Sequence, residues 1–223
     1  MAGWDADYYF TELYPWQDEV IKLLNLLDTQ FYLTGGTAAS RGYLAHRFSD
    51  DLDLFVNDDS NFHLWSARII DACARSDRWT MRVLVREERY VRASLETEQK
   101  SLKLELVNDV PAHIGQIVTH PILGRLDSAE NILANKISAL IGREEPKDLA
   151  DIWGFCCKLK MPLAPAIEDA NSKAAGIFPA DIARILSSTT EREGALVRWI
   201  EPPERDMFIA DLYRLGEALL LEP

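Results

Sequence analysis

Leu33-Thr34-Gly35-Gly36-Thr37-Ala38-Ala39-Ser40-Arg41-Gly42-Tyr43-Leu44-Ala45-His46-Arg47-Phe48-Ser49-Asp50-Asp51-Leu52-Asp53-Leu54-Phe55-Val56 is the stretch on which the fold turns. Phe31 to Thr34 is a short aromatic and β-branched run that meets two glycines, and Thr37 then stands where it can cap an Ala-rich helix reaching about His46. The order is strand, glycine turn, helix. Beyond it Asp51, Asp53 and Phe55 alternate with Leu52, Leu54 and Val56, the two-residue period of a strand with one buried side.

That period places the Asp51 and Asp53 side chains on one face. Two acids side by side repel unless a positive charge sits between them. Magnesium supplies one, since it takes carboxylate oxygens, keeps several waters and bridges to substrate phosphates; a two-metal arrangement suits an in-line displacement. An acid pair alone is more often a solvated strand edge, and Asp50, Asp58 and Asp59 make this surface acidic in any case. The turn Gly35-Gly36-Thr37 changes the balance, because residues without side chains let backbone amides approach an oxyanion where a strand passes into a helix. No Walker lysine follows, which excludes a P-loop. A turn for the triphosphate followed by a strand for Mg²⁺ is the order of parts that nucleotidyl transfer requires.

Outward from this stretch, residues 8–28 carry apolar positions at helical spacing (Phe10, Leu13, Trp16, Val20, Leu23, Leu24, Leu27) and predict an amphipathic entry helix. Residues 60–75 read as helix. Trp79 to Val85, Tyr90 to Leu95 and Ser101 to Val107 have strand composition with polar turns between them, an antiparallel extension of the same sheet. From Ser128 the period is helical: Ser128 to Ile141 with Asp127 or Ser128 as cap, Pro146 to Lys160, and then 163–175, 179–187, 191–200 and 204–220. The expectation is an α/β (α+β) chain, residues 1–125 forming a mixed-sheet core and residues 126–223 an all-helical region that closes the active-site cleft. Trp153, Trp199 and Tyr213 sit among apolar residues at helical spacing and read as core.

The deciding stretch resembles the first motif of the AbiEii/AbiGii-type nucleotidyltransferase toxins, a branch of the polymerase-β-like nucleotidyltransferase superfamily. It shares the Gly-Gly-Thr turn, the His46-Arg47-x-Ser49 approach and the Asp51-x-Asp53 strand. A second block, Glu130 to Trp153, is similar to the family's later motifs, a helix bearing Lys136 followed by a helix reading Lys147-Asp148-x-x-Asp151. The resemblance implies a polymerase-β-like core in which Asp51 and Asp53 hold metal, Gly35, Gly36 and Thr37 the phosphates, and Lys136 the charge that builds on them. It further implies that Asp148 orients Lys136 or positions the acceptor. Arg47 and Ser49 are candidates for further phosphate contacts through a guanidinium fork and a hydroxyl. The superfamily's third carboxylate falls on Glu105, which shares a strand face with Lys103 and Val107, as metal ligand or general base with Lys103 beside it. The implied acceptor is RNA, a tRNA end, and the implied partner is a cognate antitoxin protein.

The rest of the composition sets bounds. At 223 residues, 48% hydrophobic and 27% charged, the chain can bury a sizeable core. Its apolar stretches are too short to span a bilayer, and Asp5, Asp7 and Glu12 stand where a signal peptide carries basic residues, so a cytoplasmic protein without membrane contact is expected. Three cysteines, two of them adjacent, offer no disulfide framework and no Cys-x-x-Cys zinc site. Net charge is −12, against broad adhesion to nucleic acid. Only residues 68–103, with 9 basic and 6 acidic side chains, are electropositive; Arg68, Arg75, Arg78, Arg82, Arg86, Arg89 and Arg92 either face a polyanion or form a solvated surface of salt links. Two rivals follow: a nucleotidyltransferase of the aminoglycoside-modifying sort acting on a small hydroxylated, cationic acceptor, and a catalytically inactive nucleotide-binding or interaction module.

Overall fold

In the computed structural model, residues 6–204 and 206–221 are described; Asp5, and Arg205 within the last expected helix, lie outside them. The chain divides into two units. The first comprises Met1–Ala38, Ser49–Pro111 and Gln116–Asp127, and the second Ala39–Phe48, Ala112–Gly115 and Ser128–Pro223. Segments 39–48 and 112–115 therefore group with the helical residues rather than with their chain neighbours.

The first unit is built on a mixed seven-stranded sheet: β1 (Tyr32–Thr34), β2 (Leu52–Asn57), β3 (Thr80–Arg86), β4 (Tyr90–Glu96), β5 (Ser101–Asp109), β6 (Val118–His120) and β7 (Gly124–Leu126), in the order β3-β4-β5-β2-β1-β7-β6. The expected antiparallel extension is β3-β4-β5. It joins the centre through a parallel β2-β5 pair, and β1 pairs antiparallel with β2 and parallel with β7. The alternation in the sequence is what drives this centre: Leu52, Leu54 and Val56 on β2 and Leu102, Leu104 and Leu106 on β5 are all buried, with Asp53, Phe55, Lys103 and Glu105 between them part-exposed. Tyr14–Asn25 and Phe62–Ala74 are the longer helices of this unit, and ion pairs occupy most of its arginines: Arg68 with Asp28, Arg78 with Glu19, Arg82 with Glu96, Arg89 with Asp58 and Arg92 with Glu105. The solvated-surface reading of residues 68–103 is the one that fits.

The second unit is helical, with Ala129–Arg143, Pro146–Trp153, Leu163–Lys173, Pro179–Ser188, Glu191–Leu196 and Met207–Leu221 as α-helices and Gly154–Lys158 as a π-helical segment. Ser128 is the cap of the first, its side chain accepting from the Asn131 amide. Trp153, Trp199 and Phe208 meet edge to face, with centroids 5.2–5.8 Å apart. Residues 46–48 pair with 198–200 through Phe48 N to Arg198 O and Ile200 N to His46 O.

Four expectations need correction. Thr37 is not a cap: the helical turn begins one residue after the extended Thr34 and covers Gly35–Thr37, continuing as a π-helix over Ala38–Leu44. Strands β6 and β7 were not expected; each is three residues long, as β1 is, but neither runs directly into a glycine pair that marks its end. Tyr213 is half-exposed rather than core, at 47%, and Trp199 is only part-buried. The helix expected over 191–200 ends at Leu196, where the chain turns to pair with residues 46–48. The three cysteines are free; burial pushes the Cys73 and Cys156 thiols up to about 12 and Cys157 to about 11. Among the described residues no helix is long and apolar enough to cross a membrane.

Candidate active site

Parallel pairing fixes the acidic face of the first unit. Asp53 on β2 lies opposite Glu105 on β5 and opposite Thr34 on β1, so the expected third carboxylate stands beside the second one. Leu52 lies opposite Leu104, which brings Lys103 level with Asp51. The Lys103 ammonium is 2.8 Å from Asp51 Oδ2 and 3.7 Å from Glu105 Oε1. Partial burial works to lower the Lys103 pKa, but the Asp51 hydrogen bond and the charges of Asp51, Glu105 and Asp53 outweigh it and raise it. Glu105 Oε1 also accepts from Tyr90 Oη at 2.6 Å and Arg92 Nε at 2.8 Å, and the guanidinium lies over the Tyr90 ring. Burial works to raise the Glu105 pKa; the Tyr90 hydrogen bond and the positive charges of Lys103 and Arg92 prevail and hold it below the usual carboxylate range.

Gly35 has φ +67°, and a Cβ built there would sit 2.1 Å from Asp53 Oδ2. The turn is therefore glycine for two reasons: its left-handed backbone, and the Asp53 carboxylate packed against its Cα. Thr37 is fully buried; its hydroxyl donates to the Asp51 carbonyl at 2.5 Å and lies 3.0 Å from Ser49 Oγ. The Ser49 amide donates to Tyr14 Oη, and Gln17 Nε2 donates to the carbonyls of Ser49 and Asp50. Thr37 and Ser49, expected at phosphates, thus brace the entry into β2 and fix where Asp51 begins.

A family model described as nucleotidyl transferase AbiEii toxin, type IV toxin–antitoxin system, matches residues 23–170, about two thirds of the chain. The chain belongs to the AbiEii nucleotidyltransferase toxin family. Among solved structures it resembles MenT4, the nucleotidyltransferase toxin Rv2826c of Mycobacterium tuberculosis, with a TM-score of 0.66 and 18% identity over 99% of this chain and 87% of that one. It also resembles JHP933 from Helicobacter pylori, with a TM-score of 0.59 and 19% identity over 93% and 92%. At such identities the likeness establishes the fold, the nucleotidyltransferase fold expected. No curated protein matches the chain significantly.

The later AbiEii-like block forms a buried charged network within the second unit. Lys136 Nζ lies 3.1 Å from Asp148 Oδ1 and 2.8 Å from Asp151 Oδ2. Asp151 also takes Arg47 Nε and Nη2, both at 2.7 Å, and its Oδ1 is 3.0 Å from His46 Nε2. Arg143 closes on Asp148 through Nε at 2.7 Å and Nη2 at 3.0 Å. Burial works to raise both carboxyls, but the charges of Arg47 and Lys136 at Asp151, and of Lys136 and Arg143 at Asp148, bring both below the usual range. Arg47, expected at phosphates, is buried with its fork committed to Asp151 and its Nη1 to the Phe48 carbonyl. Sequence reasoning gave Asp151 no role, although its position three residues after Asp148 puts both on one helical face. It gave none to Tyr90 either, whose link to Glu105 depends on strand register that no local pattern reveals.

The donor set bears on which cation these residues suit. Among the described residues no group of three or more His, Cys, Asp or Glu is arranged to hold a metal ion. Asp51 and Asp53 offer two carboxylates, while Glu105 Oε1 already takes two hydrogen bonds, from Tyr90 and Arg92, with the Lys103 ammonium 3.7 Å away. Magnesium is commonly held by one or two carboxylates and completed by waters and substrate phosphates. The pair fits that mode and not an all-protein cage.

Proposed function

We propose that this protein transfers a nucleoside monophosphate from an NTP to an acceptor hydroxyl, with Asp51 and Asp53 as the metal-holding carboxylates. The observation that carries this reading is Asp53 packed on the left-handed Gly35, one strand from Glu105, in a chain of the AbiEii family. Magnesium at Asp51 and Asp53 would supply the positive charge that offsets the charge on the triphosphate and on the departing pyrophosphate. The backbone of Gly35, Gly36 and Thr37 receives phosphate oxygens. Glu105, ionised at neutral pH, is the carboxylate available to the acceptor hydroxyl's proton as that oxygen attacks the α-phosphorus. For Lys136 we propose the role the family implies, neutralising triphosphate charge, with Asp148 and Asp151 fixing its ammonium.

The acceptor we propose is RNA, a tRNA end, and the partner a cognate antitoxin, both from family membership. The net charge of −12 favours a compact contact with one end of an RNA over a broad footprint, and it keeps a small cationic hydroxyl compound as the second reading. The test is incubation with each α-³²P-labelled NTP, Mg²⁺ and total RNA, beside Asp51→Asn and Lys136→Met variants. Label in an RNA band that both variants lose is the expected result. Label absent from RNA but present on an aminoglycoside transfers the reading to the small acceptor, and no label on either substrate overturns it.

A further inference from the structure

The Lys103 ammonium occupies the place where a cation between Asp51 and Glu105 belongs. Three observations make this more than a surface salt link. Strand register, not chance rotamer, brings Lys103 level with Asp51. Glu105 is held by Tyr90 and Arg92 as well as facing Lys103, so it stays placed if the lysine leaves. The Lys103 side chain is 38% exposed, on a flexible four-carbon stem that can swing without disturbing the buried leucines on either side of it.

We propose that Lys103 is a built-in substitute for the divalent cation: with no metal bound its ammonium neutralises Asp51, and metal binding displaces it. This rests on the reading of Asp51 and Asp53 as metal carboxylates. Without the lysine, Asp51 would lose its ammonium while standing beside Asp53 and Glu105 on two neighbouring strands. A monovalent ammonium on a tether relieves that repulsion yet yields to a divalent ion, which interacts more strongly with the same oxygens. The displaced ammonium, still beside Glu105, becomes a positive charge available to the incoming triphosphate. Lys103 is on this account a positioning residue that sets how readily metal enters and ties metal entry to nucleotide.

The experiment measures Mn²⁺ binding by electron paramagnetic resonance without nucleotide, for the wild-type protein and the Lys103→Met, Lys103→Arg and Asp51→Asn variants. Lys103→Met should bind Mn²⁺ roughly tenfold more tightly, the effect of removing one competing charge from a carboxylate. Lys103→Arg should remain near wild type, and Asp51→Asn should lose binding. Melting in EDTA gives a second readout: Lys103→Met should melt below wild type and gain more on adding Mg²⁺. Unchanged or weaker Mn²⁺ binding by Lys103→Met, with Asp51→Asn still deficient, overturns the proposal and leaves the metal site standing. Wild-type binding that Asp51→Asn does not alter overturns both.

Discussion

At residue scale the site depends on positions that tolerate little. Gly35→Ala forces a left-handed backbone on an L residue, about 1–2 kcal/mol by itself, and drives a methyl into Asp53 Oδ2. Urea unfolding should show a loss of at least about 1 kcal/mol, and Mn²⁺ binding should fall with it; a variant of wild-type stability and affinity would contradict the packing described. Acid lability follows from the second unit's network. Burial is the largest influence on His46 and lowers its pKa from 6.5 despite Asp151. Its share of stability is therefore present above pH 6.5 and lost as pH falls below it, since the unfolded chain takes up the proton first. Asp148 and Asp151 titrate below 3.8, so their share is present above that value and lost as pH falls through their folded range. The unfolding midpoint should fall in two stages, and His46→Gln should abolish only the first; an unchanged profile refutes this assignment. Asp51 and Asp53 were legible because a period of two is local. That Gly35 carries Asp53, and that Asp151 gathers His46, Arg47 and Lys136, was not, because those contacts span from 15 to 105 residues of chain.

At element scale, β5 does more than complete a sheet. Its alternation buries Leu102, Leu104 and Leu106 and presents Lys103 and Glu105 beside β2, so one strand supplies both core and charge. β2 and β5, which alternate, and β3 and β4, which have strand composition between polar turns, were readable. β7 exists because β1 offers it a parallel edge through Leu33 and Leu126, a pairing no three-residue window can announce. The helix at Ala129–Arg143 was readable from its cap. Ser128 Oγ accepts from the Asn131 amide and donates to the Ile114 carbonyl, tying that helix to residues 112–115. Ser128→Ala should cost about 1 kcal/mol, the usual value of a lost cap, read as a shift in urea midpoint. No shift would show that the cap carries no stability here.

At the scale of the whole molecule, the helical unit's recruitment of segments 39–48 and 112–115 escaped the sequence, because domain membership is set by packing and not by chain order. The net charge of −12 was legible at once and has a consequence for the acceptor. With most arginines of residues 68–103 in ion pairs, homopolymeric RNA should compete poorly with a true acceptor at physiological salt. Strong competition by poly(U) in the labelling reaction would contradict that.

The central claim is nucleotidyl transfer at Asp51 and Asp53, and the position of the label tests it most directly. Parallel reactions with α-³²P-NTP and γ-³²P-NTP, each with the Asp51→Asn/Asp53→Asn double variant as control, should leave α label on the acceptor and release γ label as pyrophosphate. Both signals should vanish in the double variant. Transfer of γ label to the acceptor, or α label that persists without the two aspartates, would contradict the account.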